Sequence, residues 1–330
     1  MSKRARIVGT GSYLPEKILT NEDLEKIVDT TDEWIFSRTG MKERRIAAED
    51  EFTSQMGAKA ANVALEKAGI KAEDVGLILF ATLTPDYIFP STAALVQSAI
   101  GAVNAAAFDM QAACSGYIYA LSMAKSYIES GMYDNILIVA SEKLSAITDY
   151  TDRGTCVLFG DGAAACIVSS KGKGLSIDKV VLGCDGDQAM ILHQPAGGVR
   201  KPPSAETIEN KEHTIRMEGR EVFKHAVRRM ESAAEQCLEA LKLGKEKISW
   251  FIPHQANIRI IETIAKRFEI TMEKVYVTVH KYGNTSASSV GIALDELMNK
   301  GTVQHDDHLL LVAFGAGLTW GACVLTMEEK

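Results

Sequence analysis

Three polar side chains lie where apolar, strand-like runs give way to helical patterns, and Cys114 is the most reactive of them. Residues 103–110 predict a short buried strand, and a helical pattern begins at Ser115. The start of a helix carries unpaired N–H groups and a positive dipole end, which favour a thiolate over a thiol. We therefore expect Cys114 to be a nucleophile for covalent acyl chemistry. The alternative is a small buried cysteine that packs like an alanine.

His254 and Asn284 occupy comparable positions in the second part of the chain. His254 follows the apolar run 248–252, and Asn284 lies in a glycine-containing turn before another helical pattern. In open α/β sheets, ligands bind beyond the carboxyl ends of the strands, so the three side chains can meet in one pocket if two halves face each other. A Cys-His-Asn hydrolase, or thioesterase, is the main alternative from another class, since it must admit water to the acyl-enzyme.

Other chemistries have weaker support in the sequence. One Cys, one His and one Asn make a poor zinc site, and Gly9-Thr-Gly11 is too short for a dinucleotide fingerprint. A net charge of −7 argues against general nucleic-acid binding, and no run approaches the length that spans a bilayer. The six cysteines have no regular spacing, which fits a reducing cytoplasm better than a disulfide framework.

Strand-like and helix-like runs alternate along the chain, which predicts a mostly parallel sheet with helices on both faces. We expect strands at residues 7–14, 75–82, 136–140, 248–252, 275–279 and 309–314, and helices at 54–67, 92–100, 222–241, 257–268 and 286–298. The turn Phe159-Gly-Asp-Gly recurs as Phe314-Gly-Ala-Gly, and each copy closes about half of the chain. We therefore predict two duplicated α/β halves, 1–172 and 173–330, with a long binding loop or lid at 183–214.

Seven motifs in order make the chain resemble the β-ketoacyl-(acyl-carrier-protein) synthase III family. They lie at residues 31–40, 112–116, 151–155, 159–163, 253–257, 283–287 and 314–321. The resemblance implies a thiolase-like fold, with duplicated halves in a layered α-β-α-β-α arrangement, and a cytoplasmic homodimer. It implies the initiating condensing enzyme of bacterial type II fatty-acid synthesis, with acyl-CoA, by expectation acetyl-CoA, and malonyl-acyl-carrier-protein as substrates. A polyketide or quinolone priming synthase on the same fold is the alternative.

The resemblance also implies roles for individual residues, with no metal and no permanently bound cofactor. The catalytic residues would be Cys114, His254 and Asn284, and the oxyanion hole would use the backbone N–H groups of Cys114 and Ala316, where the family usually has glycine. Coenzyme A would contact Trp34, Arg38, Arg153, Asn257 and Arg259. The acyl pocket would involve Phe89 of a second subunit together with Phe159, Met217 and Gly219. The acidic carrier protein would bind a basic patch of Lys224, Arg259, Lys266 and Arg267.

Overall fold

The computed structural model describes residues 3–328, and its main feature is a nine-stranded sheet. The strands are β1 (Arg6–Tyr13), β2 (Lys17–Thr20), β3 (Glu43–Ile46), β4 (Leu77–Ala81), β5 (Ala106–Met110), β6 (Asn135–Glu142), β7 (Gly162–Ser169), β8 (Leu175–Cys184), β9 (Leu192–His193), β10 (Arg216–Met217), β11 (Ile248–Pro253), β12 (His308–Gly315) and β13 (Thr319–Met327). The sheet has the order β11-β12-β13-β8-β1-β7-β6-β4-β5, while β2 pairs with β3 and β9 with β10.

The strand order shows the duplication directly. On one side, β1, β7 and β6 are antiparallel neighbours, and β4 and then β5 continue parallel to β6. On the other side, β8, β13 and β12 are antiparallel neighbours, and β11 continues parallel to β12. A parallel bridge between Phe251 and Val275 lies beyond β11, at the position that β5 occupies beyond β4 in the other set. The two sets meet where β1 pairs with β8, so the predicted duplicated fold is confirmed.

Residues 3–328 contain ten α-helices, which pack against the strands of the sheet. They are α1 (Asn21–Glu25), α2 (Asp32–Thr39), α3 (Thr53–Ala68), α4 (Thr92–Ala99), α5 (Gly116–Glu129), α6 (Ala205–Glu209), α7 (Gly219–Leu241), α8 (Ile258–Arg267), α9 (Val279–Tyr282) and α10 (Ser288–Asn299). Helix α5 contacts β4 and β6 of one half and β8 and β13 of the other, and α10 contacts β1 and β7 as well as β11 and β12. These two helices form the central layer, while α3 and α7 cover the outer faces.

The Gly9-Thr-Gly11 sequence serves packing in this fold. A Cβ atom at Gly9 would lie 2.5 Å from the carbonyl oxygen of Ala64, and one at Gly11 would lie 2.3 Å from that of Ala60. Only glycine permits the alanine-rich helix α3 to approach β1 so closely. Among residues 3–328, no helix is long and apolar enough to cross a membrane.

The prediction of a mostly parallel sheet is wrong, because five of the eight neighbouring strand pairs are antiparallel. Three predicted elements also differ from the structure. Residues 275–279 do not form a strand; they contribute one bridge residue, and the chain then turns into the short helix α9. The strand predicted at 103–110 begins only at Ala106, and it lies at the sheet edge with Ala106 and Phe108 exposed. The segment 183–214, predicted to be a long loop, contains the end of β8, strand β9 and helix α6. Short apolar runs do not reveal whether a neighbouring strand exists to pair with them.

Candidate active site

Cys114 lies in a single 3-10 turn, Ala113–Ser115, between the end of β5 and the start of α5. The second half of the chain holds this turn in place. The Thr319 hydroxyl donates to the carbonyl oxygen of Ala112 at 2.8 Å. A Cβ atom at Gly315 would lie 2.6 Å from the backbone nitrogen of Cys114, so the β12–β13 turn packs directly on the turn that carries the sulfur.

The Cys114 side chain is buried, and this burial decides its protonation. The pKa of the thiol is raised to about 12, mainly by burial, while the Ser286 hydroxyl lowers it and the charge of Glu142 contributes to the rise. The prediction that the helix start keeps this sulfur as a thiolate is therefore wrong, because burial disfavours the charged form of the thiol. The proton must leave Cys114 when the sulfur attacks.

His254 follows β11, and its surroundings define which nitrogen carries the proton. Burial lowers the pKa of His254 to about 3, so the imidazole is neutral at neutral pH. Its Nδ1 lies 2.6 Å from the Ser289 hydroxyl oxygen, which also accepts the N–H of Gln255 at 3.4 Å. Within residues 3–328 the Ser289 hydroxyl has no other acceptor, so its hydrogen is satisfied by donating to Nδ1, which places the ring hydrogen on Nε2. His254 is thus a neutral donor.

Asn284 is fixed by its backbone and by one oxygen of its carboxamide. Its N–H donates to the carbonyl oxygen of Leu158 at 2.8 Å, and its own carbonyl accepts the N–H of Gly160 at 3.0 Å. The side-chain Oδ1 accepts the N–H of Ser286 at 2.8 Å. Since Oδ1 is occupied in this way, the Nδ2 hydrogens remain available as donors to a substrate.

A fully buried arginine supports the Asn284 turn from below. Arg44 is 0% exposed, and its guanidinium donates to the carbonyl oxygen of Val157 and, at 2.6 Å, to Oδ1 of Asn21. A Cβ atom at Gly283 would lie 3.1 Å from Cγ of Arg44, and Gly283 has φ = 63°. Glycine is therefore required at the residue that delivers Asn284 into the site.

Two cavities meet at Cys114. The first has a volume of about 640 Å³, and it is lined by Cys114, His254 and Asn284 together with Arg38, Asn257, Arg259 and Lys224. The second has a volume of about 380 Å³, and it is lined by Cys114 and by mainly apolar side chains that include Leu83, Leu144, Ile147 and Ile215. Phe159 lines both cavities, and Ala316 lines the second. A sulfur between one cavity with basic residues and one apolar cavity suits the transfer of an acyl chain from an anionic carrier.

The remaining predicted site residues lie around these cavities. Met217 and Gly219 line the first cavity, next to the basic residues. Asn257 donates to the carbonyl oxygen of Arg38 at 3.1 Å, and Arg259 donates to that of Ser37 at 2.8 Å, so both residues connect α8 to the end of α2.

The predicted coenzyme A stack is assembled on the surface, where the guanidinium carbons of Arg38 and Arg153 lie 4.8 Å and 4.9 Å from the ring centroid of Trp34. A planar ring that stacks between Trp34 and Arg153 must therefore displace the arginine. Lys266 and Arg267 lie in the last turn of α8. Phe89 lies outside both cavities of its own chain, and it is 84% exposed.

Three residues of the site had no predicted role. Ser286 and Ser289 belong to the segment that contains Asn284, and their spacing from it gave no hint of which atoms they contact. Glu142 ends β6 at 0% exposure, and it accepts a hydrogen bond from Ser286 at 3.0 Å. An acidic residue two positions after the apolar run 136–140 was the available signal, since the ends of parallel strands gather functional groups.

Comparisons with known proteins identify the family. The family model described as 3-Oxoacyl-[acyl-carrier-protein (ACP)] synthase III matches residues 108–186, and the model of its C terminal matches residues 238–327. A Chlamydia pneumoniae protein named beta-ketoacyl-[acyl-carrier-protein] synthase III is 57% identical over 325 residues, which cover 98% of this chain and 97% of that protein. The chain belongs to the β-ketoacyl-(acyl-carrier-protein) synthase III family.

Solved structures agree with this family. The synthase III of Aquifex aeolicus superposes with a TM-score of 0.90 at 48% identity, covering 98% of this chain and 99% of that one. The priming β-ketosynthase of the R1128 polyketide pathway superposes with a TM-score of 0.91 at 35% identity, covering 99% and 97%. This member of the synthase III family is an acyl-transferring condensing enzyme that initiates fatty-acid synthesis.

Proposed function

We propose that Cys114 takes an acyl group from acyl-CoA and that His254 and Asn284 then promote its condensation with malonyl-acyl-carrier-protein. The observation that carries this proposal is the shared cavity, which a thiol, a neutral imidazole and a carboxamide line together. A neutral imidazole and a free amide group are donors, which suits a reaction in which negative charge develops on an oxygen.

In the first step, the Cys114 sulfur attacks the thioester carbonyl, and coenzyme A leaves. The oxyanion of the tetrahedral intermediate needs donors, for which we assign the backbone N–H groups of Cys114 and Ala316. The close packing of Gly315 on the Cys114 nitrogen brings these two segments together. Ala316 is not among the residues with positive φ, so its methyl group requires no left-handed backbone, and alanine can replace the usual glycine.

In the second step, malonyl-acyl-carrier-protein loses carbon dioxide, and an enolate oxygen develops negative charge. His254 Nε2–H and Asn284 Nδ2–H donate to this oxygen. A donor of this kind is typically worth about 2.7–4 kcal/mol of barrier. The enolate carbon then attacks the acyl-Cys114 thioester, which releases β-ketoacyl-acyl-carrier-protein and regenerates the cysteine.

Two basic regions suit the two anionic substrates. Coenzyme A would stack its adenine on Trp34 under Arg153 and place its phosphates near Arg38, with its arm passing Asn257 and Arg259 into the first cavity. Arginine is suited to both tasks because its guanidinium stacks and also forms bidentate contacts.

The carrier protein would dock on a basic patch of Lys224, Arg259, Lys266 and Arg267. The ion pairs of Lys224 with Glu221 and of Arg267 with Glu231 are exposed, so they contribute little and can exchange for a partner. Local positive charge of this kind can steer an acidic partner to a chain whose net charge is −7.

We also infer a homodimer, in which Phe89 of one subunit closes the acyl pocket of the other with Phe159, Met217 and Gly219. Tyr87, Ile88 and Phe89 are all more than half exposed, and β5 leaves a sheet edge open. Contiguous exposed apolar side chains and open edges are features of interfaces. The acetyl primer, the division into residues 1–172 and 173–330, the absence of a metal or resident cofactor, and a cytoplasmic location stay predictions.

Mass spectrometry of the intact protein after exposure to acyl-CoA tests the proposal. We expect one acyl group on Cys114, none on Cys114→Ser, and loss of the adduct only after malonyl-acyl-carrier-protein is added, with β-ketoacyl-acyl-carrier-protein as product. Cys166→Ser is a matched control, because Cys166 is buried in β7 away from both cavities. Rapid release of free acid without the malonyl donor would contradict the condensing role and support a thioesterase. A mixture of acyl-CoA primers in the same experiment identifies the favoured one by mass.

A further inference from the structure

The buried carboxyl group of Glu142 is surrounded by donors, and one of its oxygens contacts the site through Ser286. Its Oε2 accepts the hydroxyls of Thr82 and Thr84, at 3.0 and 2.7 Å, and the backbone N–H of Leu83 at 3.0 Å. Both hydroxyl oxygens already accept backbone N–H groups, so their hydrogens must point to Glu142. Oε1 accepts the Ser286 hydroxyl at 3.0 Å and, at the longer distance of 3.3 Å, the N–H of Leu83. A carboxyl group surrounded by donors is an acceptor, which is the role of its ionised form.

Ser286 connects this carboxyl group to the nucleophile. Ser286 and Cys114 both line the second cavity, and the Ser286 hydroxyl is near enough to the sulfur to lower the pKa of the thiol. Ser286 has φ = 52°, a conformation that costs a non-glycine residue free energy, and its N–H is held by Oδ1 of Asn284. The side chain of Ser286 is therefore kept between the Cys114 sulfur and Glu142.

The proton of Cys114 needs an acceptor other than His254. Nδ1 of His254 accepts from Ser289, so Nε2 already carries a hydrogen and cannot take another without forming a buried cation. We propose that Ser286 and Glu142 form a relay that takes the Cys114 proton when the sulfur attacks acyl-CoA and returns it when the acyl group leaves. This inference rests on the proposed role of Cys114, and Glu142 acts in it through Ser286 as a positioning residue.

The relay balances over the reaction. As the bond from sulfur to the acyl carbon forms, the thiol proton moves to the Ser286 oxygen and the Ser286 proton moves to Oε1 of Glu142. The bond from the acyl carbon to the sulfur of coenzyme A breaks, and the departing thiolate takes a proton from solvent. When the new carbon–carbon bond forms and the Cys114–acyl bond breaks, the Cys114 thiolate regains its proton from Ser286, which is restored by Glu142.

The charged side chains of Lys143 and Asp161 are bonded to other groups and do not pair with Glu142. Lys143 turns away, and its ammonium donates to the carbonyl oxygens of Ala48 and Glu51. Asp161 is held by the hydroxyl and N–H of Ser145. The charge of Glu142 raises the pKa of the Cys114 thiol. The neutral imidazole of His254 lies in the first cavity. Burial raises the pKa of Glu142 to about 7, which lets it gain and lose a proton near neutral pH.

The test is the pH dependence of Cys114 acylation by acetyl-CoA, measured by rapid quench and mass spectrometry. In the wild-type protein, the acylation rate should rise with pH and level off above about 7, as Glu142 ionises. In Glu142→Gln and Ser286→Ala, the rate at pH 8 should fall by about 10²-fold, the scale of a lost general base, and the plateau should disappear. Ser145→Ala is the matched control, because it removes a serine hydroxyl from another buried carboxylate, and it should keep the plateau.

A plateau near pH 7 in both relay variants would overturn the proposal, since a structural role lowers the rate without moving the profile. Loss of the plateau in Ser145→Ala would overturn it as well. If Glu142→Gln fails to fold, Ser286→Ala still decides, because it leaves the other donors of Glu142 in place. A wild-type protein that is not acylated at any pH would refute the proposed function, and the relay with it.

Discussion

Helices α5 and α10 occupy equivalent positions in the two halves, yet the turns that precede them present different functional groups. Each helix is preceded by a non-glycine residue with positive φ, Ala113 at 45° and Ser286 at 52°. The turn before α5 presents a thiol, whereas the turn before α10 presents the carboxamide of Asn284 and the Ser286 hydroxyl. The same backbone device therefore serves a nucleophile in one half and donors in the other.

Burial acts in opposite directions on the two halves of the site. It raises the pKa of the Cys114 thiol to about 12 and lowers that of the His254 imidazole to about 3, because the charged forms have opposite signs. Both groups are therefore neutral at neutral pH. A Cys-His hydrolase instead depends on a thiolate beside an imidazolium. The comparison separates a condensing site, which needs neutral donors, from a hydrolytic one.

The largest effect that sharpens this comparison should come from Asn284→Ala. We expect decarboxylation of malonyl-acyl-carrier-protein to slow by about 10²–10³-fold, the usual loss for one oxyanion donor, while Cys114 acylation is retained. Carbon dioxide release and the mass of the acyl-enzyme measure the two steps separately. Asn299→Ala, at the opposite end of α10, is the matched control. An equal loss in both steps would show that the halves do not divide the chemistry.

The next effect concerns stability in acid. The unfolded chain protonates His254 near pH 6.5, whereas the folded protein resists protonation down to about pH 3, so the free energy of unfolding should fall as pH decreases through this window. The slope from one such group approaches about 1.4 kcal/mol per pH unit. Urea unfolding at pH 7.5 and 5 should therefore show a shallower decline for His254→Gln than for the wild type. Equal declines would contradict the buried neutral imidazole, and His305→Gln, at an exposed histidine, is the control.

A smaller effect should follow from Ser289→Ala. Loss of the hydroxyl that bonds Nδ1 of His254 releases the ring to adopt the other tautomer, and one hydrogen bond is worth about 0.5–1.5 kcal/mol. We expect the decarboxylation rate to decrease by about 2–12-fold on that scale, with acylation less affected. Ser289→Thr keeps a hydroxyl and should restore the rate. No change in Ser289→Ala would mean that another contact fixes the tautomer.

The smallest effect should come from Ala316→Gly. Because Ala316 is not in the left-handed region, its methyl group is compatible with the backbone, and its N–H is kept in the variant. We expect an unchanged acylation rate and a free energy of unfolding lower by about 0.4–1 kcal/mol, since glycine gains entropy in the unfolded chain. Faster acylation in the variant would instead show that the methyl group obstructs the acyl path.

The sequence predicted the architecture well where the signal was local or repeated. The two Phe-Gly-x-Gly turns indicated the duplication that the strand order shows. The strand predicted at 275–279 failed because the Phe251–Val275 pairing does not extend beyond one bridge. The prediction of a thiolate at Cys114 failed because burial is a property of the assembled core, and the sequence around a helix start does not report it.

The resemblance supplied the candidate residues Cys114, His254 and Asn284. The side chains that contact and support them had no predicted role. Glu142 and Ser286 are 144 positions apart, and Ser289 reaches a histidine 35 positions away. Such contacts exist only after the two halves pack, and a serine that bonds a side chain looks the same in sequence as one that bonds water. Residues that act through another side chain are therefore the hardest to predict.

Arg44, the buried guanidinium under Gly283, has a consequence for how the two halves depend on each other. It belongs to β3 in the first half, and it supports the turn that presents Asn284 in the second. Two copies of a fold that arose by duplication can in principle drift apart, be separated or be recombined as modules. A cation sealed across the seam removes that freedom, because neither copy retains a complete reaction centre without its twin.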